Sequence, residues 1–190
     1  MMNDTSDTTV RAAELRDAAA IARIYNQGID DRVATYETEP RSEDQIRRLL
    51  AERDDRFPQV VAEQTGRVVA WAGASPYRPR DCCAGIAEFS IYTARESRGK
   101  GAGRAALAGL IRACEERGFW KLVSRIFPEN TASLALCHRL GFREVGVYRR
   151  HAKLDGIWRD VVIVERLLGD AATGGYIVPG VENDGLPEPA

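Results

Sequence analysis

The chain has 190 residues, and its 27 basic and 28 acidic side chains nearly cancel. That balance gives no electrostatic case for binding nucleic acid or an anionic membrane surface. The length favours one domain with tails, large enough to build a core without disulfides or metals. The four cysteines, Cys82, Cys83, Cys114 and Cys137, lack zinc-ligand spacing and companion histidines. No metal site is therefore expected, and the thiols are read as free in a reducing compartment. The first residues are polar and acidic with no apolar signal core, and no apolar run nears the ~20 residues that span a bilayer. A cytoplasmic protein is expected.

Residues 1–8 read as a disordered lead-in. Val10 to Leu15 is a short strand. Asp17 then caps a first helix with Ala18, Ile21, Ala22 and Tyr25 on its buried face, running to Gly28. Residues 29–40 lack a period and end at Glu39-Pro40, a long connection of the kind that often carries function. Ser42 with Gln45 is a capping box, and Ile46, Leu49 and Leu50 give the second helix its apolar side. Gln59 to Ala62 and Arg67 to Ser75 are strands joined across Thr65-Gly66, a hairpin signal. After the loop Pro76-Tyr77-Arg78-Pro79-Arg80 comes a β-rich run from Ile86 to Tyr92.

A glycine turn then leads into a third helix, with Leu107, Leu110, Ile111 and Cys114 at i, i+3, i+4, i+7 and a C-cap at Gly118. Leu122 to Phe127 is a strand stopped by Pro128. Asn130 caps a fourth helix carrying Leu134, Cys137 and Leu140. Arg143 to Arg150 and Ile157 to Leu168 are the last strands, around the turn Leu154-Asp155-Gly156. From Gly169 to the end the composition is that of a flexible tail. Residues 9–168 thus form one domain of order β-α-α-β-β-β-α-β-α-β-β. This is a mixed α/β (α+β) layer fold, not a uniformly parallel doubly wound sheet. Trp71, Phe119, Trp120 and Phe142 are read as core.

The junction Arg98-Gly99-Lys100-Gly101-Ala102-Gly103-Arg104 is the chemically informative stretch. A strand passing into a helix through glycines leaves unpaired N–H groups at the helix start. With the positive helix end and basic side chains, those donors suit a pyrophosphate. The spacing is neither a P-loop nor a dinucleotide fingerprint.

The pattern Arg98-x-x-Gly101-x-Gly103, with Asn130 and Leu140-Gly141-Phe142 downstream, resembles the GCN5-related N-acetyltransferase (GNAT) family over residues 9–168. The stretches I-Y-N-Q-G-I, E-T-E-P, S-P-Y-R-P-R, A-E-F-S-I-Y, P-E-N-T-A-S-L-A-L, G-F-R-E-V-G and G-I-W-R-D-V are most similar to its phosphinothricin acetyltransferase group, and within it to arsinothricin resistance N-acetyltransferases. The resemblance implies a GNAT fold: a twisted, mostly antiparallel sheet of about seven strands with a V-shaped split, flanked by four helices. It implies acetyl-CoA in that split, with its pyrophosphate on Arg98, Gly99, Lys100, Gly101, Ala102, Gly103 and Arg104. Ser90, Ile91 and Tyr92 would pair with the pantetheine arm through their main chains. Asn130 would reach the pantetheine or substrate side, or serve as a helix cap.

Glu88 falls where the family places its base, and a carboxylate suits removal of a proton from an ammonium. Many relatives carry a general-acid tyrosine where this chain has Cys137. The adjacent His138 is the replacement candidate, and an acid is dispensable if the coenzyme thiolate leaves unaided. Arg78 and Arg80 suit forked bonds to a phosphinate, arsinate or carboxylate, and Thr35 and Tyr36 would wall the amino-acid pocket. Tyr148, His151, Trp158 and Asp160 are further candidates. Cys82-Cys83 is rejected as a trivalent-arsenic trap.

The implied activity is acetylation of the α-amino group of a small acidic amino-acid antibiotic, arsinothricin- or phosphinothricin-like, conferring resistance. Alternatives are another amine (methionine sulfone or sulfoximine, a polyamine, a protein N-terminus) or a non-catalytic acyl-CoA-binding regulator. A homodimer is expected by the same resemblance.

Overall fold

A computed structural model describes residues 8–174. Chain order is β1 (Thr9–Ala12), α1 (Ala18–Asp30), α2 (Glu43–Glu52), β2 (Gln59–Gln64), β3 (Arg67–Pro76), β4 (Ile86–Thr93), α3 (Ala102–Glu116), β5 (Lys121–Ile126), α4 (Thr131–Arg139), β6 (Arg143–Leu154), β7 (Ile157–Leu167) and a short α5 (Asp170–Thr173). The mixed order read from the sequence holds. A fifth, one-turn helix lies in what was read as tail, and the expectations for residues 1–7 and 175–190 lie outside the described residues.

Local chemistry explains most boundaries. Ser42 and Gln45 form the expected capping box at the start of α2. Both β-hairpins turn on a non-glycine followed by glycine at positive φ, Thr65-Gly66 (48°, 73°) and Asp155-Gly156 (49°, 78°). That pair of angles matches the twist of the strands it joins.

Asp17 behaves differently from expectation. Its side chain does not cap α1. It accepts from the Glu14 N–H at 2.8 Å and from the Arg11 guanidinium at 2.7 and 2.8 Å, and it is buried. Capture of the Glu14 amide turns the chain, so β1 stops at Ala12 and Leu15 is exposed.

The seven strands form one sheet, β1-β2-β3-β4-β5-β7-β6. Every adjacent pair is antiparallel except β4 with β5. α3 packs Leu107, Leu110, Ile111 and Cys114 on one face, against Ala72, Ala87, Phe89 and Leu122. α1 and α2 cover the other with Ile21, Ile24, Tyr25, Ile46 and Leu50, against Val61, Trp71 and Tyr92. The alternation of β4 thus sends Phe89 to α3 and Tyr92 to α1.

Trp71, Phe119 and Phe142 are core, but Trp120 is 40% exposed. It immediately precedes β5 at the sheet's end, past α3, and lies across Gly85, where an added Cβ would sit 1.8 Å from the indole.

The parallel pairing of β4 with β5 has three rungs, Ile86↔Lys121, Ala87↔Leu122 and Glu88↔Val123. Beyond Glu88 the two strands separate. The Ser124 hydroxyl reaches the Phe89 carbonyl at 2.9 Å, at the apex of the resulting split.

Candidate active site

Two cavities open on the split, and both are lined by Ala34 and Tyr92. The first, of about 730 Å³, lies between the start of α3 and α4. Gly99 and Gly101 take φ of 72° and 88°, where a side chain is strained. A Cβ on Gly103 would lie 2.7 Å from the Thr93 hydroxyl. The α3 N-cap is Gly101, which offers no capping side chain, so the first amides of a 15-residue helix face the cavity undisturbed.

Arg98, Gly99, Gly101, Gly103 and Arg104 line this cavity. Ala102 is buried in the core beneath it, and Lys100 is exposed outside it. Arg98 donates to the Thr93 carbonyl at 3.1 Å and to Asp31 at 2.7 Å; Asp31 also holds Arg95 at 2.7 Å. Burial raises the Asp31 pKa, but the hydrogen bonds from Arg95 and Arg98 outweigh it and leave the carboxyl below its ordinary value.

Strand alternation decides which β4 groups face the split. The Phe89 carbonyl points towards β5, where Ser124 meets it, while the Ala94 N–H bonds the Val69 carbonyl beside β3. Successive residues point their polar groups to opposite sides, so Ile91 and Thr93 face the split. Ser90 and Tyr92, expected to do the same, pair through their main chains towards β3. Asn130 serves as the helix cap: its Oδ1 accepts from the Ser133 N–H (3.1 Å) at the start of α4, its amide donates to the Val33 carbonyl (3.2 Å), and it lines the cavity.

The second cavity, of about 790 Å³, lies on the α1–α2 side of the sheet. Glu88 faces it from β4, paired with the Arg125 guanidinium at 2.7 and 2.9 Å from neighbouring β5. Thr35 shares hydrogen bonds with the hydroxyls of Tyr25 and Tyr92. Burial first, then the adjacent Tyr25, raises the Tyr92 pKa well above its usual value, so that hydroxyl stays protonated. Tyr36 meets Phe127 edge-on at 4.8 Å. Arg41 pairs with Glu37 and stacks over Tyr25 at 4.6 Å. Thr35, Tyr36 and Glu88 are therefore brought together as expected, with His151 beside them.

Other expected residues are placed elsewhere. Arg78 and Arg80 are exposed and do not line the cavity; Arg78 lies over the Tyr77 ring at 5.2 Å. Pro76 is the last cavity residue before that loop, which carries both guanidiniums outwards. His138 is exposed on α4, 3.1 Å from Glu144, and lines neither cavity. Cys137 is fully buried in the α3-side core, and burial pushes its thiol up to about 12. Tyr148 and Trp158 are exposed outside both cavities, and Asp160 accepts from the Arg150 N–H at 2.7 Å.

Sequence reasoning missed Arg125, Arg41, Gln59 and Trp71 as cavity residues. Arg125 carried a readable signal only in combination: it stands two residues past Val123, the partner of Glu88.

The chain matches the family described as "Acetyltransferase (GNAT) domain" over residues 7–143. It is 34% identical over 167 residues to a phosphinothricin N-acetyltransferase of Alcaligenes faecalis, covering 87% of this chain and 85% of that protein. It is 30% identical to an L-methionine sulfoximine/L-methionine sulfone acetyltransferase of Salmonella typhimurium, covering 86% and 96%. The structure of a phosphinothricin acetyltransferase from Sinorhizobium meliloti in complex with acetyl-CoA superposes with a TM-score of 0.81 at 33% identity, covering 94% and 97%. The chain belongs to the GNAT acetyltransferases. It is an acetyl-CoA-dependent N-acetyltransferase, of the phosphinothricin acetyltransferase type. The glycine cradle and its two arginines fit the coenzyme chemically: Gly99 and Gly101 at positive φ leave open space at a helix start, and Arg98 and Arg104 line the same cleft, a setting that suits a pyrophosphate.

Proposed function

We propose that the protein acetylates the α-amino group of a small amino acid with a polar, tetrahedral side-chain end, in the range spanned by phosphinothricin, arsinothricin and methionine sulfoximine. The observation that carries this reading is the position of Glu88. Its carboxylate lies in a side-chain-walled cavity that shares Tyr92 and Ala34 with the glycine-cradled cleft. A cavity of about 790 Å³ suits a small molecule.

Acetyl-CoA supplies the acetyl thioester. Arg98 and Arg104 with the first α3 amides would hold its pyrophosphate, and Ile91 and Thr93 offer the free strand edge for its pantetheine arm. Glu88 accepts a proton from the substrate ammonium, directly or through water, so that the nitrogen lone pair becomes available. Arg125 keeps that carboxylate in place. Tyr92, protonated and at the junction of the cavities, can donate to oxygen developing negative charge. With Cys137 buried and His138 turned to Glu144, no side chain is assigned to protonate the leaving thiolate. Arg125 and Arg41, with Arg53, are the guanidiniums that line the cavity for an anionic group, and Arg78 and Arg80 stand outside to draw anions towards it. N-acetylation removes the ammonium charge of such an analogue, which is how resistance would arise.

A thiol-release assay with acetyl-CoA against these amino acids, a polyamine and an N-terminal peptide tests the reading. Turnover of the amino acids supports it. Turnover of the peptide alone would replace the substrate, and coenzyme binding without turnover of any amine would make the protein a regulator.

A homodimer is a second proposal, resting on β6 and β7. Val145, Val147, Tyr148, Ile157 and Trp158 are each at least half exposed on this outer hairpin. An apolar sheet edge of that kind favours pairing with a second copy. Light scattering of the wild type and Val147→Asp should give two chains and one; a monomeric wild type would refute it.

A further inference from the structure

Three side chains that line the acceptor cavity carry a buried polar atom with no hydrogen-bond partner among the described residues: the Tyr36 hydroxyl and, together on the sheet, the Trp71 indole N–H and the Gln59 Oε1. Trp71 and Gln59 are over nine-tenths buried, at 6% and 7% exposure. The Gln59 amide has a defined orientation, because its Nε2 donates to the Ala74 carbonyl at 2.8 Å. That leaves Oε1 as a fixed acceptor. The oxygen lies directly over Gly73, where an added Cβ would come within 2.0 Å of it. Glycine therefore leaves the space in which the Gln59 amide lies, and a side chain there would displace that amide.

The sheet register places these groups together. Gln59, Gly73 and Ser90 form one cross-strand row, and Val61, Trp71 and Tyr92 form the next. Trp71 and Gly73 are two residues apart on one face, or about 6.6 Å along the strand. The indole offers a donor only and the fixed Oε1 an acceptor only. A bound group satisfies both when it carries an acceptor and an N–H or O–H donor side by side. An acceptor-only group leaves Oε1 unpaired and sets oxygen against oxygen.

We propose that Trp71 and Gln59, across Gly73, select a neutral side-chain end that pairs an oxo acceptor with an N–H donor, as a sulfoximine does, over an acceptor-only end such as a sulfone. This rests on the reading of the cavity as the amino-acid site. Methionine sulfoximine and methionine sulfone differ at that one group, S=N–H against S=O, so they isolate the effect.

The test compares kcat/KM for the two compounds in the wild type and in Gln59→Met, and follows the Trp71 indole N–H signal by NMR, assigned with Trp71→Phe. The wild type should favour the sulfoximine roughly tenfold, the scale of one unmade hydrogen bond. Gln59→Met should bring the ratio to about one by slowing the sulfoximine alone, and the sulfoximine should shift the indole signal. Equal kcat/KM in the wild type, a ratio unchanged by Gln59→Met, or an indole signal unmoved by saturating sulfoximine would each overturn the selection while both compounds remain substrates. Should neither be acetylated while another amine is, the amino-acid reading itself falls. The wild-type ratio and the indole shift stand even if Gln59→Met does not fold.

Discussion

The two cavities are built on different principles, although they share Tyr92. The coenzyme cleft is backbone architecture: two glycines at positive φ, a helix start without a capping side chain, and a strand edge left free where β4 and β5 part. The acceptor cavity is side-chain architecture, with Glu88, Arg125, Tyr36, Arg41, Trp71 and Gln59 arriving from β4, β5, the α1–α2 connection, β3 and β2. A ligand common to a whole family can be held by main chain, whose geometry survives substitution. A ligand that varies between relatives must be read by side chains.

That contrast can be broken at several points. The largest effect is expected at the base: Glu88→Gln should lower kcat by about 10²- to 10³-fold at neutral pH. The loss should shrink as pH passes the pKa of the substrate amine. A rate unchanged at every pH would remove Glu88 from the chemistry.

Backbone architecture predicts that Gly101→Val raises KM for acetyl-CoA by at least tenfold, because a β-branched residue at φ 88° is strained by about 1–3 kcal/mol. The amino-acid KM should stay nearly unchanged, and equal rises in both would deny the cleft its separate role.

Neither cavity depends on Asp17, which makes it a control for stability alone. Burial raises its pKa, but bonds from Arg11 and the Glu14 amide prevail and leave the carboxyl below its ordinary value. A depressed folded pKa stabilises above the unfolded value near pH 4, and that contribution is lost as pH falls through the folded pKa. Asp17→Asn should therefore cost about 2–3 kcal/mol in urea unfolding at pH 7, and much less at pH 3.

The smallest effects should separate the guanidiniums. Arg125→Ala is expected to raise the amino-acid KM about tenfold, and Arg78→Ala by less than about threefold. The reverse order would restore the Pro-flanked loop as the anion site.

The same division explains what could be read from the sequence. The order of elements along the chain, both hairpin turns and the glycine cradle follow from local rules on φ, capping and periodicity. Glu88, Thr35 and Tyr36 followed from resemblance. Arg125 and Gln59 needed the register, because Arg125 reaches Glu88 only after three parallel rungs align β5 with β4. Ser90 and Tyr92 were misread for the same reason: period 2 was visible, but which half faced the split was not. The position of Arg78 and Arg80 outside the cavity was hidden for a different one, since two prolines make a loop stiff without saying which way it leaves the sheet. Trp120 shows that an aromatic just before a strand's first residue lies past the helix that would have covered it.

The three-rung pairing of β4 with β5 also bears on folding. Past Glu88 the sheet carries an interior edge whose amides and carbonyls have no neighbouring strand among the described residues. A molecule with such a slit gains cohesion from whatever occupies it, by mass action: a ligand at a hundred times its dissociation constant adds about 2.7 kcal/mol to the folded state. Melting temperature should therefore rise with acetyl-CoA. In a cell, the supply of coenzyme would set how much of this protein survives as well as how fast it turns over.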